Sequence, residues 1–396
     1  MKRNPYFEQI SNRYLFQEVR HRLLHFKDKS PDARVISLSI GDTTEPIGPH
    51  TIQGLHDAVQ ALGDRATYTG YGPEQGFADV REAISKTIYQ GKVPSDDIFV
   101  SDGSKCDIGR LQLLFGPACS VALQTPSYPV YQDTSLLFRN NPLILLPCTA
   151  ENGFVPDLSP AASADILFLC NPCNPTGRAF SFSQLEQIVH FAIKHSITII
   201  FDSAYSSYVQ PGFPKSIYEI PGADTVAIEL GSFSKIAGFS GVRLAWSVVP
   251  SKLNYSTGQP IKPDWMRIAT TFFNGASIIS QKGGMAVLSD AGMKEIDDQV
   301  NFYLANTKIL KEAFTERGLE VYGGTHSPYL WVRFHGLSSW QAFDKMLQDM
   351  HIVTTPGIGF GQAGDGFLRI SSFGSRASVT EAANRIKGGC LCSTQQ

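Results

Sequence analysis

Long apolar runs are missing from this 396-residue chain. No stretch approaches the ~20 residues that a membrane-spanning helix needs. An excess of one charge is missing too, with 34 basic against 36 acidic side chains and a formal net charge of −2. That balance offers nothing to nucleic acid or to an anionic membrane. Charge is scarce altogether, at 18% against the roughly 25% usual for soluble proteins. Because 42% of the residues are hydrophobic, much of the chain must be buried in a core or a subunit interface. Repeats and low-complexity tracts are absent, and the composition excludes disorder, collagen and coiled coil.

Cysteine is present but forms no recognisable framework. The seven residues are an odd number in a long chain, and residues 1–9 contain no apolar signal core. Reduced thiols in a cytoplasm are therefore expected. Cys170 and Cys173 make one CxxC without a second pair or a nearby histidine, so no metal is assigned. Cys390 and Cys392 receive no role.

One hydrophobic core stops growing at roughly 250 residues, so the length calls for more than one domain. Apolar spacing predicts a short amphipathic helix from 14 to 24, a strand over 35–38, and helices over 51–62 and 77–89. An alternation of α/β type follows. Strands are expected at 98–100, 120–123, 165–169, 197–201 and 225–230, with helices between several of them, such as 105–115 and 183–194. The run Ile197-Thr198-Ile199-Ile200-Phe201 reads as a strand covered on both faces. Beyond about 293 the pattern becomes α+β: a helix over 295–317, strands at 319–322 and 330–332, a helix over 339–350, then strands at 352–354 and 367–370. The expected division is an arm and part of a small domain at 1–45, a large domain at 46–290 and a C-terminal small domain at 291–396. The fold class is α/β, a mainly parallel central sheet with helices on both faces.

Ligands of open α/β sheets bind at the carboxyl ends of the strands, so the residues following each strand carry the functional information. After 98–100 comes Ser101-Asp102-Gly103-Ser104-Lys105, a glycine turn opening a helix, where free N–H groups would bind phosphate. Taken alone, an ordinary left-handed turn with a capping serine is the better account of it. After 165–169 comes Asn171-Pro172-Cys173-Asn174-Pro175, which would hold an Asn side chain in a fixed place or simply make a turn. After 197–201 comes Asp202, with Tyr205 beyond it. A carboxylate ending an apolar strand needs a cation or hydrogen bonds, for which a protonated heterocycle or a following turn would serve. After 225–230 comes Ser232-Phe233-Ser234-Lys235, with Arg243 further on. A lysine beside hydroxyls and an arginine suits Schiff-base chemistry next to a phosphate, although most lysines are solvated surface residues.

In this order the four elements make a complete pyridoxal 5′-phosphate site, and the sequence resembles the fold type I aminotransferases. The resemblance implies that Lys235 bonds the cofactor and that Asp202 pairs with its ring nitrogen. Tyr205 and Asn174 would bond its phenolic oxygen, and Tyr128 would stack on the ring. The Ser104 and Lys105 amides with Ser232, Ser234 and Arg243 would hold the phosphate. Arg369, in Phe367-Leu368-Arg369-Ile370-Ser371, would take the substrate carboxylate. Tyr71 would reach the phosphate of a neighbouring subunit, implying a homodimer with shared active sites.

Three further segments resemble the LL-diaminopimelate aminotransferases. These are Gly70-Tyr71-Gly72-Pro73-Glu74-Gln75-Gly76, Ser101 to Ile108 with its Lys105, and Thr270-Thr271-Phe272-Phe273-Asn274-Gly275. The implied substrates are small amino and keto acids, with Tyr14, Gly41, Tyr71, Glu74, Lys105, Tyr128, Asn174, Asn274 and Arg369 as contacts. Diaminopimelate carries a second amino-acid group, which Glu74 would meet at the ammonium and Lys105 and Asn274 at the carboxylate. The rival specificities within this fold are aspartate, aromatic or branched-chain amino acids. Gly357-Ile358-Gly359-Phe360-Gly361 looks like a dinucleotide fingerprint, but it leads into a strand rather than a helix, so NAD is not expected.

Overall fold

The apolar run at 197–201 folds as the strand Thr198–Asp202, in the middle of a seven-stranded sheet. Ile199, Ile200 and Phe201 are fully buried. Alternate side chains leave opposite faces of a strand, and both faces are covered here. Ile199 and Phe201 pack with Leu185, Ile188 and Val189 of the helix Phe182–His195. Ile200 packs on the other side with Ile108 and Leu111 of the helix Ser104–Phe115. Each such side chain contributes about 1.5–3 kcal/mol relative to exposure, which is why the run has no polar interruption until Asp202. This is the computed structural model of the chain, and it describes residues 1–10, 15–138 and 143–389. The expectation placed on Tyr14, and the positions Cys390 and Cys392, lie outside the described residues.

Across the sheet the order is Ile98–Ser101, Ala245–Val248, Ala227–Ser232, Thr198–Asp202, Ile166–Cys170, Val121–Thr125, Ile144–Pro147. The last five are parallel. Ala245–Val248 is antiparallel to both of its neighbours, so Ile98–Ser101 points the same way as the five. Six carboxyl ends therefore meet at one edge, and the motifs at Ser104, Tyr128, Asn174, Asp202 and Lys235 all follow them.

A second, antiparallel sheet runs Thr355–Pro356, Phe367–Ser371, Tyr329–Arg333, Glu320–Gly323. It presents Arg369 from its second strand. Ile36–Ser37 pairs in parallel with Ile352–Val353, which ties the start of the chain to its end and delivers Gly41 and Asp42 to the same region. The 27-residue helix Asp290–Glu316 begins earlier than the expected 295, because Ser289 caps it by accepting from Gly292 N at 3.2 Å. The glycine-rich 357–361 segment forms a 3₁₀ turn and leads to the strand Phe367–Ser371, as expected. The sequence reading left Ile144–Pro147 and Ala245–Val248 without an element; the second is a short Ala-Trp-Ser-Val run defined by pairing on both sides rather than by pattern. Among the described residues no helix is long and apolar enough to cross a membrane.

Candidate active site

A cavity of about 510 Å³ opens where the six carboxyl ends meet the second sheet. Of the residues singled out from the sequence, Ser104, Lys105, Tyr128, Asn174, Asp202 and Tyr205 line it from the strand ends. Ser232 at the end of the strand Ala227–Ser232 and Ser234, Lys235 and Arg243 beyond it also line the cavity, as do Gly41 and Arg369 from the other side.

At the end of its strand Asp202 is buried, and its two oxygens are held by Tyr131 Oη at 2.6 Å and Ala204 N at 3.1 Å. Burial pushes its pKa up, while those two hydrogen bonds pull the other way. Tyr131 stacks on Phe168 with centroids 5.4 Å apart and meets Tyr128 edge-on, so the group that orients Asp202 is itself fixed. The carboxylate borders the cavity, where a cation could pair with it.

Lys235 Nζ lies 3.3 Å from Asp42 Oδ1 and 3.2 Å from Ser240 Oγ. Burial lowers its pKa, Asp42 acts against that, and Arg369 and Arg243 add to it. Ser234 N donates to Ser232 Oγ at 3.1 Å, which shapes the turn carrying both hydroxyls. Gly103 precedes the helix Ser104–Phe115 at φ 146°, and a Cβ there would stand 2.1 Å from Arg243 Nη2. Helix amides, two serines and an arginine thus converge on a cradle that fits a phosphate.

Arg369 is 1% exposed, and its surroundings are prepared for an anion. Asn174 Oδ1 accepts from Nη1 at 2.8 Å and Ser39 O from Nη2 at 3.0 Å. The rings of Tyr329 and Phe360 flank the guanidinium at 4.5 and 5.0 Å. Its Nε is buried without a hydrogen-bond partner. A Cβ at Gly41 would stand 3.2 Å from Tyr329 Oη, a tight contact, and 3.6 Å from Arg369 Nη2, so the bare backbone there relieves crowding beside the guanidinium. Tyr205 Oη and Tyr329 Oη are 2.7 Å apart, and burial pushes both phenols up.

Three of the singled-out residues do not join this cavity within one chain. Tyr71 is 88% exposed. Glu74 borders a separate small recess with Arg110 and Phe273, and Asn274 follows Phe273 at φ 64°. Lys105 does join, with Nζ 5.5 Å from the centroid of the Tyr128 ring. Sequence reasoning missed Tyr131, Asp42, Ser240 and Tyr329. Tyr131 had a signal, since it stands one helical turn beyond Tyr128, and Ser240 lies only five residues beyond Lys235; Asp42 and Tyr329 are brought in by packing between distant segments.

Residues 33–386 match the family model "Aminotransferase class I and II". An LL-diaminopimelate aminotransferase of Protochlamydia amoebophila is 47% identical over 403 residues, covering 99% of this chain and 98% of that one. The chloroplastic LL-diaminopimelate aminotransferase of Arabidopsis thaliana is 47% identical, covering 98% and 87%. The solved L,L-diaminopimelate aminotransferase of Chlamydomonas reinhardtii superposes with a TM-score of 0.93 at 48% identity, covering 98% of each chain. A Thermus thermophilus aspartate aminotransferase shares the fold at a TM-score of 0.85 and 17% identity.

Proposed function

The chain belongs to the class I and II aminotransferases, and on that premise we propose that it is a pyridoxal 5′-phosphate enzyme making LL-diaminopimelate. The reaction transfers the amino group of glutamate to tetrahydrodipicolinate, with water, giving LL-diaminopimelate and 2-oxoglutarate, a step toward lysine and peptidoglycan precursors. The observation that carries this reading is the 47% identity to a named LL-diaminopimelate aminotransferase over 99% of the chain.

The residues fit the cofactor. Ser232, Ser234, Arg243 and the amides of Ser104 and Lys105 would hold its phosphate, and Asp202 would face its ring nitrogen. Tyr128 would lie on the ring, and Tyr205 and Asn174 would hydrogen-bond its phenolic oxygen. Asn174 already gives its Oδ1 to Arg369, so its amide nitrogen is the donor left for that oxygen. When bound, the cofactor supplies an electron sink for the substrate carbon that loses a proton. Arg369 binds the α-carboxylate and fixes that carbon, and Lys235 takes the proton and returns it one position away. Glutamate and diaminopimelate share Arg369, so the distal pocket must accept both lengths.

Tyr71, Glu74 and Asn274 enter the proposal from a second copy of the chain, in a homodimer whose active sites are shared. Their position outside the cavity of their own chain supports that arrangement. The three-part division at 45 and 290 belongs to the same reading, with the cavity between the large part and the other two. The five described cysteines are free, in keeping with a reducing compartment such as the cytoplasm.

The visible absorbance of the purified protein tests the proposal. A cofactor band bleached by LL-diaminopimelate and by glutamate, and restored by 2-oxoglutarate, is expected. Bleaching by phenylalanine alone would move the specificity elsewhere, and absence of any band after adding pyridoxal phosphate would overturn it. Glu74→Gln is expected to damage diaminopimelate turnover far more than glutamate turnover; equal losses would remove Glu74 from the specificity account.

A further inference from the structure

Lys235 has a prepared place to rest when nothing holds it covalently. Its Nζ, Asp42 Oδ1 and Ser240 Oγ close a triangle, with the lysine 3.3 and 3.2 Å from its two partners and Ser240 hydrogen-bonded to Asp42. Two of the three share one turn, and Asp42 comes from a distant part of the chain. Asp42 follows the strand Ile36–Ser37, which the C-terminal segment holds by pairing, and Ser240 lies in the turn beyond Lys235. The carboxylate is itself anchored, because Thr43 N donates to Oδ1 at 2.9 Å. Ser240 is anchored through its carbonyl, which accepts from Arg243 Nη1 at 3.0 Å.

We propose that Asp42, set by Ser240, is a further catalytic residue whose carboxylate receives the Lys235 ammonium whenever that lysine is free of the cofactor and carries a proton. This rests on the reading of Lys235 as the cofactor lysine. The reaction needs Lys235 neutral before it takes the substrate proton and charged afterwards. Burial and the two arginines, Arg243 on the same turn and Arg369 on the second sheet, favour the neutral form. Asp42 is the group acting against them. The phenols of Tyr131, Tyr205 and Tyr329 and the Cys170 thiol contribute no opposing charge at neutral pH, because burial pushes them up. Asp202 is engaged by Tyr131 and Ala204, and Lys105 lies over Tyr128. The proton stays on Nζ until it is returned. Asp42 acts through its charge, lowering the energy of the state in which Lys235 carries the proton.

The test measures the amine rather than turnover. Full-length protein, cofactor-free or loaded with pyridoxamine phosphate, is trace-acetylated from neutral to alkaline pH, and modification of Lys235 is read by mass spectrometry. Asp42→Asn keeps the oxygen that accepts from Thr43 and Ser240 while removing the charge. Its half-labelling pH is expected to fall by roughly 0.5–1 unit, giving about three- to tenfold faster labelling on the acid side. Asp42→Glu is expected to restore part of the shift. Ser240→Ala, which leaves the carboxylate but loosens its placement, should move the same way by less, and it carries the test if Asp42→Asn does not fold. A titration unchanged from wild type in Asp42→Asn, or in Ser240→Ala should that variant be the one to decide, overturns the proposal. Borohydride reduction of the enzyme loaded with pyridoxal phosphate separates the two readings. Cofactor fixed on another lysine, or on none, overturns the cofactor reading, while cofactor on Lys235 with no pH shift overturns only the role of Asp42.

Discussion

Asp202 and Glu229 are carboxylates on adjacent strands, both buried, and their surroundings differ in what they leave unfinished. The register pairs Asp202 with Leu230 and Phe201 with Glu229, so the two side chains leave opposite faces of the sheet. Glu229 meets a closed set of donors: Tyr89 Oη at 3.0 Å, Ser203 Oγ at 2.9 Å, Ser216 Oγ at 2.6 Å and Ile217 N at 3.1 Å. Trp246 Nε1 donates in turn to Tyr89 Oη at 2.8 Å. Burial pushes Glu229 up to about 7 in spite of those bonds. Asp202 has two donors and an open side facing the cavity. One carboxylate completes a core, and the other waits for a cation. A buried charge marks a functional site when its partner set is incomplete toward a cavity.

The widest separation should appear in activity. Asp202→Asn is expected to cut kcat by roughly 10²–10³-fold, the scale of losing one preorganised charge-stabilising group, with thermal stability little changed. A kcat near wild type would show that the open side of Asp202 faces nothing that matters. Arg369 extends the contrast to a cation. Arg369→Lys keeps the charge but loses the planar fork, and KM for glutamate and diaminopimelate should rise together by roughly 10- to 100-fold. A rise for only one of them would break the shared-carboxylate reading.

Glu229 should respond in the opposite currency. Glu229→Gln turns one acceptor into a donor facing Ile217 N, and about 1–3 kcal/mol of unfolding free energy is the expected loss, with kcat within roughly threefold. Denaturant unfolding beside steady-state kinetics checks both halves. The smallest effect is in pH. A carboxyl raised from 4.5 to about 7 in the folded state binds its proton more tightly there than when unfolded. Its contribution is therefore complete below about 4.5 and is lost as pH rises through about 7. Asp107, raised to about 6, and Asp202 act with the same sign, so Glu229→Gln should flatten the fall in melting temperature without abolishing it.

What could be read from the sequence follows the same division. Asp202, Lys235 and Arg369 were legible because each stands in or just after a strand inside a local motif. Asp42 was not, because its meeting with Lys235 depends on the pairing of Ile36–Ser37 with Ile352–Val353, which no local pattern encodes. Tyr329 is likewise hidden: its hydroxyl meets Tyr205 across 124 residues of sequence, where the second sheet reaches the carboxyl ends of the first. Glu229 sat inside an apolar run, and its four donors come from three separate segments. Of the elements, the buried central strands were plain, whereas the helix Asp290–Glu316 was misjudged at its start because Ser289 supplies a cap that periodicity does not reveal.

The space left at Gly103 binds two positions to a single evolutionary choice. The Arg243 guanidinium occupies the volume that any Cβ at 103 would need, so a larger residue there can persist only if the arginine moves or is replaced. Across relatives of this chain, a side chain at 103 should appear only beside a displaced or different residue at 243, so the anion cradle proposed there would be altered by either change.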